Sequence, residues 1–242
     1  MPYKGGTAML SIMRKPVERL AKDAGAKLFI NVNKQMPVAS GYIFDFSGRN
    51  NHLLMNNTSY GNTDDRYGII FNGSDSYLSL DNVPDLSITG TGNFSANFIF
   101  AVLSGFGTGY LVCNNDSDFA DARYGVAIIS TGAIQVVSSG VVVLQSGAGV
   151  VTADKWHHLS IARDNGILYM YFDRVMIASA VSTTNMIPAT KFRIGCRANG
   201  PSGNAAFLKC TISSLSVCVS AKSTRNNVTK LVNVLNRNYS RA

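Results

Sequence analysis

From Gly41 onward the apolar residues come in short runs, broken every few positions by glycine, asparagine and aspartate. This pattern predicts many short strands joined by tight turns, an all-β chain. The clearest case is Asn93 to Leu103, where Phe94, Ala96, Phe98, Phe100 and Val102 recur at a period of two and predict a strand with that face buried. Tyr77 to Leu80 is a shorter strand of the same kind. Tyr124 to Ser130, Ile134 to Ser138 and Val141 to Leu144 predict a meander with turns at Thr131-Gly132 and Ser139-Gly140. Ile167 to Phe172 and Val175 to Ala180 predict a hairpin around Asp173-Arg174, and Phe192 to Gly195 and Phe207 to Val219 supply closing strands. Asp45 to His52 reads as a loop in which Gly48 and the asparagines supply positive φ and Asp45 accepts backbone N–H bonds.

The two ends have a different texture. Pro16 to Gly25 predicts a short helix, with proline in the first turn, glycine just past the end, and Val17, Leu20, Ala21 and Ala24 on one face. A strand, Lys27 to Val32, and a turn-rich stretch follow. At the other end Val228, Leu231, Val232 and Leu235 fall at helical spacing. The expected organisation is a basic N-terminal arm over residues 1–40, a sandwich over 41–220 and a basic C-terminal tail with a short helix over 221–242.

Charge sharpens that division. The net charge of +8 over 242 residues is carried by the ends: residues 1–40 hold seven bases against two acids, residues 221–242 hold five bases and no acid, and the part between is left at −2. The ends are therefore expected to dock on an acidic surface, with Arg14, Lys15, Arg19, Lys22, Lys222, Arg225, Arg237 and Arg241 as assembly contacts. The bland alternative is that both ends are simply solvated. Specific nucleic-acid recognition is not expected, because these bases lack interleaved aromatic platforms. No window approaches a membrane span of about 20 apolar residues, and the start lacks the apolar run of a secretory signal. Synthesis in a cytoplasm is expected, where Cys113, Cys196, Cys210 and Cys218 are reduced by default.

Four motifs stand in order along the chain: Asp45-Phe46-Ser47-Gly48-Arg49-Asn50-Asn51-His52, Phe71-Asn72-Gly73-Ser74-Asp75-Ser76-Tyr77-Leu78, Lys155-Trp156-His157-His158-Leu159 and Leu168-Tyr169-Met170-Tyr171-Phe172-Asp173. Their order and spacing resemble the laminin-G-like branch of the concanavalin A-like lectin/glucanase superfamily over roughly residues 41 to 235. The resemblance implies a two-sheet jelly-roll sandwich, a structural Trp156 at the start of a strand, and Asp-Gly where this chain has Asp173-Arg174. Related extracellular modules carry a late disulfide, which the resemblance would place at Cys196 and Cys210. Signal-free chains of this kind resemble phage virion components, that is, decoration, minor capsid or tail proteins, which implies other subunits of an assembly as partners and the virion as final location.

Glucanases on this sandwich use two glutamates and a neighbouring acid on one strand. The single glutamate, Glu18, lies in the arm, so no catalytic residue is expected. Asp116, Asp118 and Asp121 sit in a turn-rich loop; as clustered hard oxygens they are the candidates for calcium, against a solvated acidic loop. No other cofactor is expected. His157 and His158 are adjacent on a strand, point to opposite faces and cannot converge on one ion. The architecture often presents loops whose polar groups and aromatics hold a pyranose. The corresponding candidates are Tyr60, Asp64, Asp65, Arg66, Tyr67, Phe106 and Tyr110, with Asn199 nearby in type, in loops around 60–67 and 105–123. The family's late acidic motif is replaced by Ile212-Ser213-Ser214-Leu215, which weakens any cation contact that depends on it. The expected function is a non-catalytic structural or interaction protein anchored by its ends, with carbohydrate binding at a surface glycan as the alternative.

Overall fold

The structure, a computed structural model, describes residues 25–32, 41–82, 86, 90–114, 124–186, 190–198 and 203–219. The helices expected over 16–25 and 228–235, the acids Asp116, Asp118 and Asp121, Asn199 and the eight basic assembly contacts lie outside these residues, Gly25 excepted.

The strands in chain order are β1 (Ala26–Asn31), β2 (Tyr42–Ile43), β3 (Leu53–Asn56), β4 (Ser59–Thr63), β5 (Arg66–Asn72), β6 (Tyr77–Asp81), β7 (Phe94–Val102), β8 (Gly109–Asn114) and β9 (Tyr124–Ile128). They continue with β10 (Ile134–Ser138), β11 (Val141–Gln145), β12 (His157–Asp164), β13 (Ile167–Phe172), β14 (Val175–Val181), β15 (Lys191–Ile194), β16 (Arg197–Ala198), β17 (Asn204–Ala205) and β18 (Lys209–Val219). One sheet runs β14-β13-β12-β7-β18-β5-β4, with β1 also on β18. The other runs β11-β10-β9-β8-β15-β6-β3-β2, and β16 with β17 forms a small separate ribbon. All of these pairings are antiparallel. The inward residues of the two sheets, among them Phe71, Phe94, Phe98, Phe100, Phe192, Ile194 and Leu215, meet in one core, each such side chain contributing roughly 1.5–3 kcal/mol by leaving water. This is the expected all-β sandwich.

Two features depart from the sequence reading. Residues 26–32 do not belong to an outlying arm. Leu28 lies opposite Val217 and Ile30 opposite Leu215, both inward and buried, while Phe29 is equally buried on the other face. A strand apolar on both faces has to be sandwiched rather than left at a rim. The second departure is β7, whose alternation suggests one buried face. Both are buried, because Ser95, Asn97, Ile99 and Ala101 on its outer side are as inaccessible as the phenylalanines.

That outer side carries a hydrogen-bonded polar seam across three strands. Ser160 Oγ donates to Asn97 Oδ1 at 2.7 Å, and Asn97 Nδ2 donates to Ser216 Oγ at 3.2 Å. His158 stands beside them, buried, with Nε2 3.4 Å from Ser160 Oγ and no hydrogen-bond partner at Nδ1. Desolvation is the main influence on this imidazole and pushes its pKa down to about 4; Asp173 opposes the shift and Arg174 adds to it. The unfolded chain binds a proton at His158 below about pH 6.5 that the folded chain refuses. Stability is therefore complete above that pH and falls as the pH drops from about 6.5 to about 4, by on the order of 3 kcal/mol. Urea unfolding between pH 4 and 7.5 should show this slope, and His158→Gln should flatten it; an unchanged slope in the variant would place the titration elsewhere.

Turn chemistry follows the sequence closely. Ser139 and Gly140 both have positive φ, 53° and 71°, as a two-residue hairpin turn requires. In the β13–β14 turn Asp173 and Arg174 do the same, at 45° and 77°, so the arginine accepts the left-handed conformation that glycine adopts freely. Asp173 secures the turn: its Oδ1 accepts the His158 N–H at 2.8 Å and its Oδ2 pairs with His157 Nδ1 at 2.9 Å. Burial opposes ionisation of Asp173, but the His157 and His158 hydrogen bonds outweigh it and the carboxyl pKa lies below its ordinary value.

Candidate functional site

The seven residues proposed as a ligand site are not brought together. Residues 60–67 are not a loop but the β4–β5 hairpin, in which Tyr60 pairs with Ile69 and Asn62 with Tyr67. Alternation therefore sends Tyr67 inward and Arg66 outward. Tyr60 and Tyr67 stack on each other with centroids 6.1 Å apart, partly buried against the core, and burial, then Tyr67, raises the Tyr60 phenol. Arg66 lies over the Trp156 ring at 5.5 Å. Only Asp64 and Asp65 remain exposed, at the tip. Phe106 packs on the core, and Tyr110 is a residue of β8, buried with Cys113, Ala127 and Val137 on the outer face of the second sheet. Burial raises its phenol, with Arg197 opposing through charge and a hydrogen bond. Polar side chains with aromatics between glycines read as loops; here they are the two arms of a hairpin whose register fixes their faces.

The histidine pair behaves as expected. His157 faces inward opposite Phe100, and its ring lies 4.7 Å from Phe172. Its Nε2 is enclosed by Thr152, 3.2 Å from Oγ1 and 3.3 Å from the carbonyl. Acid, imidazole and hydroxyl thus stand in a row, but the imidazole is sealed in and clamps the β13–β14 turn to β12. Trp156 is buried and donates from Nε1 to Thr63 O at 2.7 Å, a packing role. His52 Nδ1 accepts the Asp45 N–H at 3.0 Å, a partner the sequence did not disclose. All four cysteines are buried free thiols, Cys196 and Cys210 included, with burial pushing Cys196 up to about 12 and Cys218 up to about 11. Among the described residues no three His, Cys, Asp or Glu side chains group as metal ligands.

A different set of groups converges on the outer face of the second sheet. The register runs without a break from Tyr42 to Leu54, Ser79, Arg193, Cys113, Gly125, Val137 and Val142, one residue from each of the eight strands. Toward β8–β10 this row is covered where Ala206 packs on Tyr110 and its neighbours. Toward β2 and β3 it is open: Tyr42, Phe44 and Leu54 are 44%, 37% and 40% exposed. Beside them lie fixed polar groups. Arg193 Nη1 donates to Asp81 Oδ1 at 2.7 Å and its Nε to Asn204 Oδ1 at 3.3 Å, while Asn56 Nδ2 donates to Ser79 Oγ at 3.0 Å. Phe44 meets His52 edge-on at 5.2 Å. The arginine is almost wholly buried, whereas the Asp81 side chain is 57% exposed. Apolar ring faces next to an oriented carboxylate and amide are the chemistry that stacks on sugar C–H groups and bonds their hydroxyls.

A family model described as Concanavalin A-like lectin/glucanases superfamily, a laminin G model, matches residues 72–224. No curated protein matches the chain. Among solved structures, a Trypanosoma rangeli sialidase superposes with a TM-score of 0.63 at 14% identity, covering 88% of this chain and 33% of the sialidase. The binding domain of Paraclostridial Mosquitocidal Protein 1 gives 0.61 at 14% identity, covering 89% and 53%. The receptor binding domain of botulinum neurotoxin mosaic serotype C/D gives 0.59 at 11%, covering 86% and 51%. The chain thus spans about a third of the sialidase and about half of the toxin domains, and these likenesses show the fold.

Proposed function

The chain belongs to the concanavalin A-like lectin/glucanases superfamily, and on that premise we propose that it is a non-catalytic recognition module that binds a carbohydrate on the open part of its second sheet. The observation that carries this reading is the exposed Tyr42, Phe44 and Leu54 beside the Asp81–Arg193 pair. Structural neighbours named as receptor-binding and sialidase proteins are consistent with it. Glycoside cleavage needs two carboxyls facing one another across a bond, about 5–9 Å apart. Six of the eight described carboxylates are engaged by side chains or backbone of the fold. Asp45 holds a loop, Asp75 bonds Asn57 and Asn72, Asp81 meets Arg193, Asp154 takes Ser104, Asp164 takes Asn93 and Asp173 takes His157. Asp64 and Asp65 are neighbours on one exposed tip.

A glycan array at physiological salt tests the reading. The wild-type chain should bind at least one glycan, Tyr42→Ala or Asp81→Asn should weaken it about tenfold, worth about 1.4 kcal/mol, and Asp64→Asn should not. Silence across the array, or equal binding by all variants, would remove the carbohydrate reading.

The end-weighted charge favours a second element, that the module is held on a larger assembly by residues 1–24 and 221–242. A phage virion, as decoration, minor capsid or tail protein, is the assembly we propose. Removing residues 1–24, which leaves β1 in place, should abolish incorporation while the sandwich still folds; incorporation of the truncated chain would exclude this anchor.

A further inference from the structure

The two sheets end side by side on one narrow flank. β14 closes the first sheet, β11 closes the second, and the two strands touch. Edge strands in monomers are commonly protected by charged side chains, proline or β-bulges. The first two are absent here, because Tyr124 to Ala153 and Val175 to Met186 contain no charged residue and no proline. What the flank offers is aliphatic: Val141 and Val142 on β11 are 61% and 42% exposed, and Val175, Met176 and Val181 on β14 are 63%, 52% and 78% exposed. Each strand carries a bulge, at Val143 and at Ile177. The bulge leaves Ala178–Val181 as a regular four-residue edge whose outward backbone groups have no strand partner among the described residues.

We infer that this flank is the interface between two copies of the chain, related by a twofold axis. A single peptide strand could satisfy one sheet edge and would leave the other layer wet. A second copy presents the same pair of edges, so both layers are continued at once and the surface is self-complementary. Charge does not oppose this: β11 and β14 carry none, and the exposed Asp173 and Arg174 in the turn before β14 are of opposite sign, so two copies meet without strong repulsion there. Seven residues of β14 span about 23 Å, and two layers about 10 Å apart with their side chains give a flank about 20 Å wide. Roughly 450 Å² per copy, about 900 Å² in all, lies below the roughly 1,200–2,000 Å² of stable specific interfaces and in the range of weak, transient ones. The dimer is therefore weak, with dissociation in the micromolar range, and would double the valency of whatever the sandwich binds.

Sedimentation of the full chain from about 1 to 500 μM tests this. The wild type should pass from monomer to dimer, and Val181→Lys and Val142→Lys should each weaken the dimer at least tenfold with unchanged thermal unfolding, since both sites are surface positions. Hydrogen exchange at Ala178–Val181 should slow as wild-type concentration rises. A monomer throughout, or lysine variants that dimerise like the wild type, would overturn the inference; the second result would assign self-association to another surface. Monomeric variants that keep glycan binding would leave the recognition reading intact.

Discussion

Replacing Arg163 by methionine is expected to cost about 3–5 kcal/mol of folding stability, a large share of the roughly 5–15 kcal/mol a domain possesses. Arg163 faces inward on β12 opposite Phe94 and is fully buried. Its guanidinium donates to three backbone carbonyls: Nε to Gly92 at 2.8 Å, Nη1 to Thr184 at 2.9 Å and Nη2 to Gly90 at 3.1 Å. It also lies 5.5 Å from the centre of the Phe94 ring. The chain entering β7 and the chain leaving β14 are thereby tied to β12 at one end of the sandwich. Methionine fills much of the space but takes the guanidinium donor from all three carbonyls, of which, among the described residues, only Gly90 O keeps another, the Met186 N–H at 2.8 Å, and each bond to a charged group is worth about 1.5–3 kcal/mol. Lysine should recover only part, because a single ammonium cannot imitate the planar fork. Urea unfolding of the three proteins measures the order wild type, lysine, methionine. A methionine variant within 1 kcal/mol of wild type would show that water replaces the guanidinium at that end.

Arg163 also marks where sequence reading stops. An arginine at the end of an alternating strand reads as a solvent-facing terminus, since charged residues are seldom fully buried. Only the chain passes at Gly90, Gly92 and Thr184, set by sheet closure, turn it into a core residue. The same holds for the candidate face: Tyr42, Leu54, Ser79 and Arg193 are separated by up to 151 positions and meet through three strand registers. Short-range signals fared better. The shared inward face of the β7 phenylalanines, the positive φ values at Ser139-Gly140 and Asp173-Arg174, and the inward and outward split of His157 and His158 are properties of a few consecutive residues, and all appear in the fold, although burial of the opposite face of β7 was not among these signals. The Tyr60–Tyr67 hairpin failed at the middle range, where polar strand residues with a two-residue turn carry the composition of a loop. Gly195 shows the limit from the other side: a Cβ there would lie 2.4 Å from the Phe71 ring, a constraint invisible without the neighbouring sheet.

Asp45→Ala should be the second large loss, about 3 kcal/mol, and the more local one. The carboxylate is buried and accepts four hydrogen bonds. Oδ1 takes the N–H groups of Phe29 at 2.9 Å and Ser47 at 2.8 Å, and Oδ2 takes Ser47 Oγ at 2.7 Å and the Asn51 N–H at 3.0 Å. One side chain therefore shapes the 45–52 loop and fastens it to β1, where Phe46 N–H also bonds Phe29 O at 2.8 Å. Phe46 then packs on the buried cluster of Phe29, Ile99, Ala101 and Trp156. Alanine leaves the buried Phe29 N–H unpaired, costing about 1–3 kcal/mol, and the half-buried Asn51 N–H with it at a smaller cost. Asparagine keeps one acceptor oxygen but turns an NH₂ toward groups that themselves donate, so about 2 kcal/mol of the loss should remain. The distinguishing measurement is amide exchange: Phe29 and Asn51 should lose protection in the alanine variant while Phe98 and Ile161, in the middle of the sheet, keep theirs. If protection falls evenly over the whole sandwich, β1 and its loop unfold only with the rest, and Asp45 contributes to the global fold rather than fastening one strand to it.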